Sequence, residues 1–253
     1  MNLRNSMLRT ILIILTFFLF SCRERVKREE SSNVLNIMND GWNYPCDNIK
    51  PSPNLSGFVF GKNDETFAVA EYLSAIPKSY FQHILTKGGY LERGIFVRDE
   101  EFMKKHYSLN GRPILAYYSA TERNINIFFL QIFYSMRHEF GHAVQDFYDS
   151  ITADESNKKK FTAKVHLNYR EHVERGKEKT FMNPNSIRHT REYFADIFSS
   201  YYCSAAARQV MADKFPGSYK FAQDCLLKPE EINAKLSIED FRARLTHCLS
   251  TQP

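Results

Sequence analysis

No Cys-x-x-Cys pair occurs anywhere in the 253 residues, which removes the cysteine-rich zinc knuckle from consideration. A Gly-x-Ser-x-Gly elbow is absent too, and serine-hydrolase chemistry of that kind goes with it. Only one Glu-x-x-His segment is present, Glu139 to His142, whereas a carboxylate-bridged di-iron bundle needs a pair. There is no internal repeat, and the chain lacks a strong charge of either sign. Its formal net charge is +5, of which Arg4 and Arg9 supply two, and so mild and dispersed an excess does not make a nucleic-acid surface. The apolar run Ile11 to Phe20 is too short for a comfortable membrane span.

That run fits instead the apolar region of a secretory signal, with Arg4 and Arg9 before it and Ser21-Cys22 after it. Leu19-Phe20-Ser21-Cys22 resembles a bacterial lipobox, although Phe20 is bulky for its position. We read residues 1–21 as a lipoprotein-type signal peptide and Cys22 as the lipidated N-terminus; a plain signal peptide or an uncleaved anchor would export the chain equally. Residues 22–41, charged and poor in apolar anchors, read as a tether, and residues 42–253 as one folded domain. The expected location is a bacterial membrane-anchored lipoprotein facing the periplasm or cell surface, in contact with the bilayer through the lipid on Cys22. Cys46, Cys203, Cys225 and Cys248 then make an even number in an exported protein, open to three pairings.

A hydrophobic content of 43% is sufficient for a core in the domain. Helical spacing covers 66–75, Pro77 opens a second helix to about Thr86, and Gly88-Gly89 closes it. Ile95 to Val97 reads as a strand, and Ile114 to Tyr118 with Asn124 to Phe129 as a hairpin or bulged edge. Residues 150–179 are strongly charged and read as a solvated helix-and-loop excursion over a cleft rim, with His166 and His172 exposed on it. After about residue 205 the chain is helical, ending in a helix opened by the capping pattern Ser237-Ile238-Glu239-Asp240. These segments buttress what precedes them, with Cys225 and Cys248 able to staple them.

Between Leu130 and Tyr148 the apolar residues Phe133, Met136, Phe140, Val144 and Phe147 recur at helical spacing and form the inward stripe. His138 and His142 lie off that stripe, four residues apart, so both imidazoles project from one face and can reach one metal ion. Gly141 costs about 1 kcal/mol of helix propensity relative to Ala, which implies that something approaches the backbone there. Downstream, Glu192 and Asp196 share the polar face of a helix whose other side is Phe194, Ile197, Phe198 and Tyr201. Such a helix can deliver a third ligand and, one turn later, a carboxylate that orients a ligand. His138, His142 and Glu192 would hold Zn2+ with a position left for water, Glu139 would take and return the proton, and Asp196 would accept the second N–H of a ligand imidazole.

His138-Glu-Phe-Gly-His-Ala-Val144, together with Glu192-Tyr-Phe-Ala-Asp-Ile-Phe198, resembles the catalytic domain of the anthrax lethal factor family, to which the Pro-Pro endopeptidases of secreted clostridial type belong. The resemblance runs from roughly Glu65 to Leu227, with Phe215 to Phe221 as a weaker third match. It implies an α+β, zincin-like metallopeptidase domain with a small sheet packed on the motif helix and a mostly helical C-terminal part. It also implies His138, His142 and Glu192 as metal ligands and Glu139 as base. One departure stands out: the family's tyrosine seven residues before the glutamate ligand, an oxyanion donor, is Asn185 here, and Tyr193, Tyr169 and His189 are candidate stand-ins. Asp196 also replaces the Glu common at its position. The resulting expectation is a monomeric zinc endopeptidase acting on extended polypeptide. The alternatives are a catalytically weak or inactive zinc-binding lipoprotein acting as a binding module, and a metal-free structural lipoprotein.

Overall fold

The computed structural model describes residues 55, 57–109, 112–114, 116–128, 132–152, 154–176 and 189–250. The signal peptide, Cys22, the tether and Asn185 lie outside the described residues. Among the described residues no helix is long and apolar enough to cross a membrane.

In chain order the elements are β1 (Val59–Phe60), α1 (Asn63–Leu73), α2 (Lys78–Ile84), β2 (Gly94–Arg98), α3 (Glu100–His106), β3 (Ser108–Leu109), β4 (Arg112–Pro113), β5 (Ala116–Ser119), β6 (Asn124–Phe128), α4 (Ile132–Ile151), α5 (Glu155–Gly176), α6 (Thr190–Tyr201), α7 (Ala205–Lys214), α8 (Pro216–Cys225) and α9 (Ile238–Ser250). The fold is therefore α+β and mostly helical, with one four-stranded sheet in the order β1-β2-β6-β5 and a separate β3-β4 ribbon. β1, β2 and β6 run parallel, while β5 pairs antiparallel with β6, Tyr118 facing Ile125 and Ser119 facing Asn124.

Alternation decides which way the sheet faces. Ile95, Val97, Ile125, Ile127 and Tyr118 are buried on the side where α4 packs on β5 and β6. β5 is left at the edge of the described sheet. Parallel neighbours need a crossover, and α1 and α2 supply it between β1 and β2.

α4 is the central helix: it packs against α6, α1, α2, α9 and the two strands β5 and β6. Its expected apolar stripe is confirmed at Met136, Phe140, Val144 and Phe147, all buried. Gly141 faces α6. A Cβ there would lie 2.9 Å from Ala195 Cα, 3.2 Å from Ala195 O and 3.2 Å from Phe198 Cβ. The close approach is thus helix on helix, and the two donor-bearing helices are held together through it. Gly141→Ala is expected to destabilise the protein by about 1–2 kcal/mol, since overpacking against backbone costs about 1–3 kcal/mol and outweighs the gain in propensity. Urea unfolding measures the loss, and the same variant should bind metal more weakly because Glu192 moves with α6.

Beneath α4 the core is aromatic. Tyr80, Tyr148, Phe161, Phe194, Phe198, Tyr202, Phe221 and Phe241 are fully buried. The tyrosine hydroxyls find partners: Tyr80 and Tyr148 share a 2.9 Å bond, Tyr148 donates to the Cys225 carbonyl, and Tyr202 donates to that of Leu227. Cys225 and Cys248 form a disulfide joining α8 to α9, as expected of a staple in the buttress. Cys203 is disulfide-bonded as well, and its partner lies outside the described residues.

Two features differ from the sequence reading. α3 was not expected, because Met103 is its only buried residue and it has no apolar stripe. It is specified by its ends: Asp99 accepts from the Phe102 N–H, Glu100 and Glu101 fill the first turn, and Lys104, Lys105 and His106 fill the last. The charged segment after residue 154 is also no rim excursion. It is one 22-residue helix, α5, packed on α6, α8 and α9 through Phe161, Val165 and Asn168, with His166 exposed as expected.

Candidate metal centre

One turn of α4 separates His138 from His142, and both rings turn toward the first turns of α6. Their centroids lie 4.8 Å apart with the rings nearly perpendicular. Glu192, in the first turn of α6, enters between them: its Oε2 is 3.1 Å from His138 Nε2 and its Oε1 is 3.6 Å from His142 Nε2. One donor atom of each of the three residues falls within 4.8 Å of the others. One turn further along α6, the buried Asp196 accepts a 2.6 Å bond from His138 Nδ1–H. That bond fixes the ring so that Nε2 faces the cluster, the orienting role expected for Asp196.

Burial and neighbouring charges hold the three groups in different protonation states. Burial pulls the His138 imidazole down, but the charge and hydrogen bond of Asp196, with the Glu192 bond, hold its pKa well above the ordinary value. His142, with no carboxylate bonded to Nδ1, is lowered to about 3 by burial and by the neighbouring His138 charge. The bond from His138 keeps the Glu192 carboxyl below its ordinary value against the opposing effect of burial. Two imidazoles and a carboxylate thus converge on one point, with His142 held neutral and Glu192 held ionised. This donor set could hold a divalent cation of the zinc type, which needs nitrogen and oxygen donors and a neutral or deprotonated state of each. Metal uptake near neutral pH is expected to release protons from His138 and none from His142, measured by titration calorimetry in buffers of different ionisation enthalpy. Asp196→Ala is expected to reduce that release and to weaken binding about 10- to 100-fold.

Glu139 sits one residue beyond His138 and is buried at 8% exposure. Its Oε2 accepts the backbone N–H of Tyr118 at 2.8 Å. Burial raises its pKa to about 7, against the lowering effects of His138 and the Tyr118 N–H. Because the Tyr118 N–H goes to Glu139 and not to β6, Tyr118 and Ile125 form a non-hydrogen-bonded pair, and alternation turns the backbone of Ala116 outward in the same direction. The carboxylate therefore stands at the outer side of β5, the edge strand of the described sheet.

Sequence reasoning missed one part of this surround. Asp146 accepts from the Tyr118 hydroxyl at 2.8 Å and pairs with Arg191 at 2.9 Å. The signal was available, since Asp146 follows His142 by one helical turn and Arg191 immediately precedes Glu192. Of the three stand-ins for the missing tyrosine, Tyr193 is excluded: it is fully buried and its hydroxyl donates to Ser218 Oγ at 2.9 Å. Tyr169 packs its ring edge-on to Tyr193. His189 is exposed at the N-cap of α6, and its charge helps to keep the Glu192 carboxyl low.

Two histidines and a glutamate around one point, with a buried carboxylate alongside on an α+β scaffold, define a potential metal-binding site. Residues 114–225, which run from just before β5 to the end of α8, match the family described as anthrax toxin lethal factor, N- and C-terminal domain, and this part of the protein is lethal-factor-like. That family is one of zinc metalloproteases. The match begins well after Glu65, so β1 through β4 lie outside it. No curated protein and no solved structure matches the chain.

Proposed function

We propose that the protein is a zinc-dependent endopeptidase with a zincin-like fold, hydrolysing peptide bonds in extended polypeptide, exported and held at a membrane by lipid on Cys22. The observation that carries this reading is the convergence of His138, His142 and Glu192 beside the buried Glu139, whose carboxylate meets β5, the edge strand of the described sheet.

His138 Nε2, His142 Nε2 and a Glu192 oxygen would hold the ion. When bound, zinc supplies Lewis acidity that brings a water's pKa to about 7 and polarises the scissile carbonyl. Asp196 keeps the Nδ1 proton of His138 and so preserves the donor at Nε2. Glu139, with Oε2 anchored by Tyr118, is placed to take the proton of the attacking water at Oε1 and to deliver it to the leaving amide nitrogen. With the Tyr118 N–H given to Glu139, the outward backbone groups of Ala116 and the Tyr118 carbonyl offer an extended substrate a strand to pair with.

Cleavage profiling of a diverse peptide library by mass spectrometry tests the reading. Defined new termini that disappear on chelation and return with zinc are expected. Zinc-loaded protein that leaves every peptide intact would assign the chain to the binding-module class.

A further inference from the structure

β5 is four residues long and, among the described residues, pairs with the sheet on one side, so its position against α4 depends also on side-chain contacts outside the ladder. Three side chains supply them. The hydroxyl of Tyr118 donates to Asp146 Oδ2 at 2.8 Å, and Arg191 lies 2.9 Å from Asp146 Oδ1. Asp146 stands on α4 one turn beyond His142, and Arg191 stands on α6 next to Glu192. The Tyr118 ring also runs nearly parallel to that of His142, at 6.4 Å between centroids. One carboxylate thus ties the edge strand to both helices that carry the convergent donors.

The two arms are unequal. The Arg191 side chain is 49% exposed, so its ion pair is screened and weak, while Tyr118 is buried and its bond is made to a charged acceptor away from bulk water. Burial and the Asp146 charge both hold the tyrosine hydroxyl protonated, so it stays a donor. The same Tyr118 gives its N–H to Glu139, and any drift of this residue moves the strand edge and the partner of the base together.

We propose that Tyr118, Asp146 and Arg191 form a positioning bridge that fixes β5 against the helices bearing His142 and Glu192, in the place where an extended polypeptide pairs with it. The functional half of this inference rests on the peptidase reading above; the structural half does not. None of the three is a catalytic residue. They act by removing freedom from the strand before substrate arrives, which lowers the ordering cost of pairing.

The test uses full-length, zinc-loaded protein and the variants Tyr118→Phe, Asp146→Ala, their combination, and Asp146→Asn, which keeps an acceptor oxygen for Tyr118. Tyr118→Phe removes a single oxygen atom and keeps the ring, so it carries the test even where Asp146→Ala folds poorly. Amide hydrogen exchange across β5 is read together with zinc content, KM and kcat. Exchange in β5 is expected to be roughly tenfold faster in Tyr118→Phe and Asp146→Ala with zinc content unchanged. KM should rise roughly tenfold, by more than kcat falls. The combined variant should be no worse than Asp146→Ala, and Asp146→Asn should recover most of the loss. Wild-type exchange in both single variants, or additive effects in the combination, would overturn the bridge. Complete absence of cleavage in the wild type would remove the peptidase reading alone and leave the exchange result to decide the bridge.

Discussion

Glu139→Gln is expected to lower kcat about 100- to 10,000-fold, the usual contribution of a positioned acid–base group, while zinc stoichiometry stays at the wild-type level. Glutamine retains an oxygen that can accept the Tyr118 N–H, so the strand edge should stay in place and the loss should reflect the proton step. The same substitution should stabilise the metal-free protein in a pH-dependent way. Burial raises the Glu139 pKa from 4.5 to about 7, and a carboxyl with a raised folded-state pKa contributes stability that is full below pH 4.5 and lost as pH rises through 7. Glutamine does not ionise and escapes that loss. Metal-free Glu139→Gln should therefore unfold at higher denaturant than wild type at pH 8, by on the order of 2–3 kcal/mol, and show little difference at pH 4. A gain in stability when Glu139 is neutralised would show that its burial opposes folding at that pH.

Glu192→Gln should have the second largest effect, on the metal. The carboxylate is the only anion among the three convergent donors, and it lies within 3.6 Å of both imidazoles. Its loss is expected to weaken zinc binding by more than about 100-fold, beyond the 10- to 100-fold range seen when an orienting partner is lost. Zinc at about a thousand times Kd stabilises the folded state by about 4 kcal/mol, and a 100-fold loss of affinity reduces that to about 1.4 kcal/mol at the same zinc concentration. Thermal unfolding with and without zinc, on both proteins, reads the difference. An equal zinc-dependent shift in the two would place the ion elsewhere.

Much of the site was legible in the sequence because it sits on helices, where spacing translates directly into a face. His138 and His142 at i, i+4, the backing stripe through Phe140 and Val144, and Glu192 with Asp196 one turn later all follow from the 3.6-residue period. Gly141 signalled a close approach, and Ala195 is what approaches. Contacts between elements distant in the chain left no such trace. That the backbone of Tyr118 anchors Glu139 depends on the β5–β6 register and on how the sheet lies over α4, neither of which a local pattern encodes. The parallel pairing of β2 with β6 joins strands separated by α3, the β3-β4 ribbon and β5. α3 is defined by caps and charges and carries no apolar period, and the buried stripe of α5 is narrow within a run of lysines and glutamates, so neither packing is specified by a local hydrophobic pattern.

The claim on which everything else depends is that His138, His142 and Glu192 hold one zinc ion. X-ray absorption spectroscopy of the zinc-loaded protein, with Glu192→Gln measured alongside, addresses it directly. One zinc per chain is expected in the wild type, bound by nitrogen and oxygen at about 2.0–2.2 Å with the scattering signature of two imidazoles, and the variant should lose stoichiometric metal. Sulfur neighbours at about 2.3 Å, or an unchanged zinc site in Glu192→Gln, would contradict it.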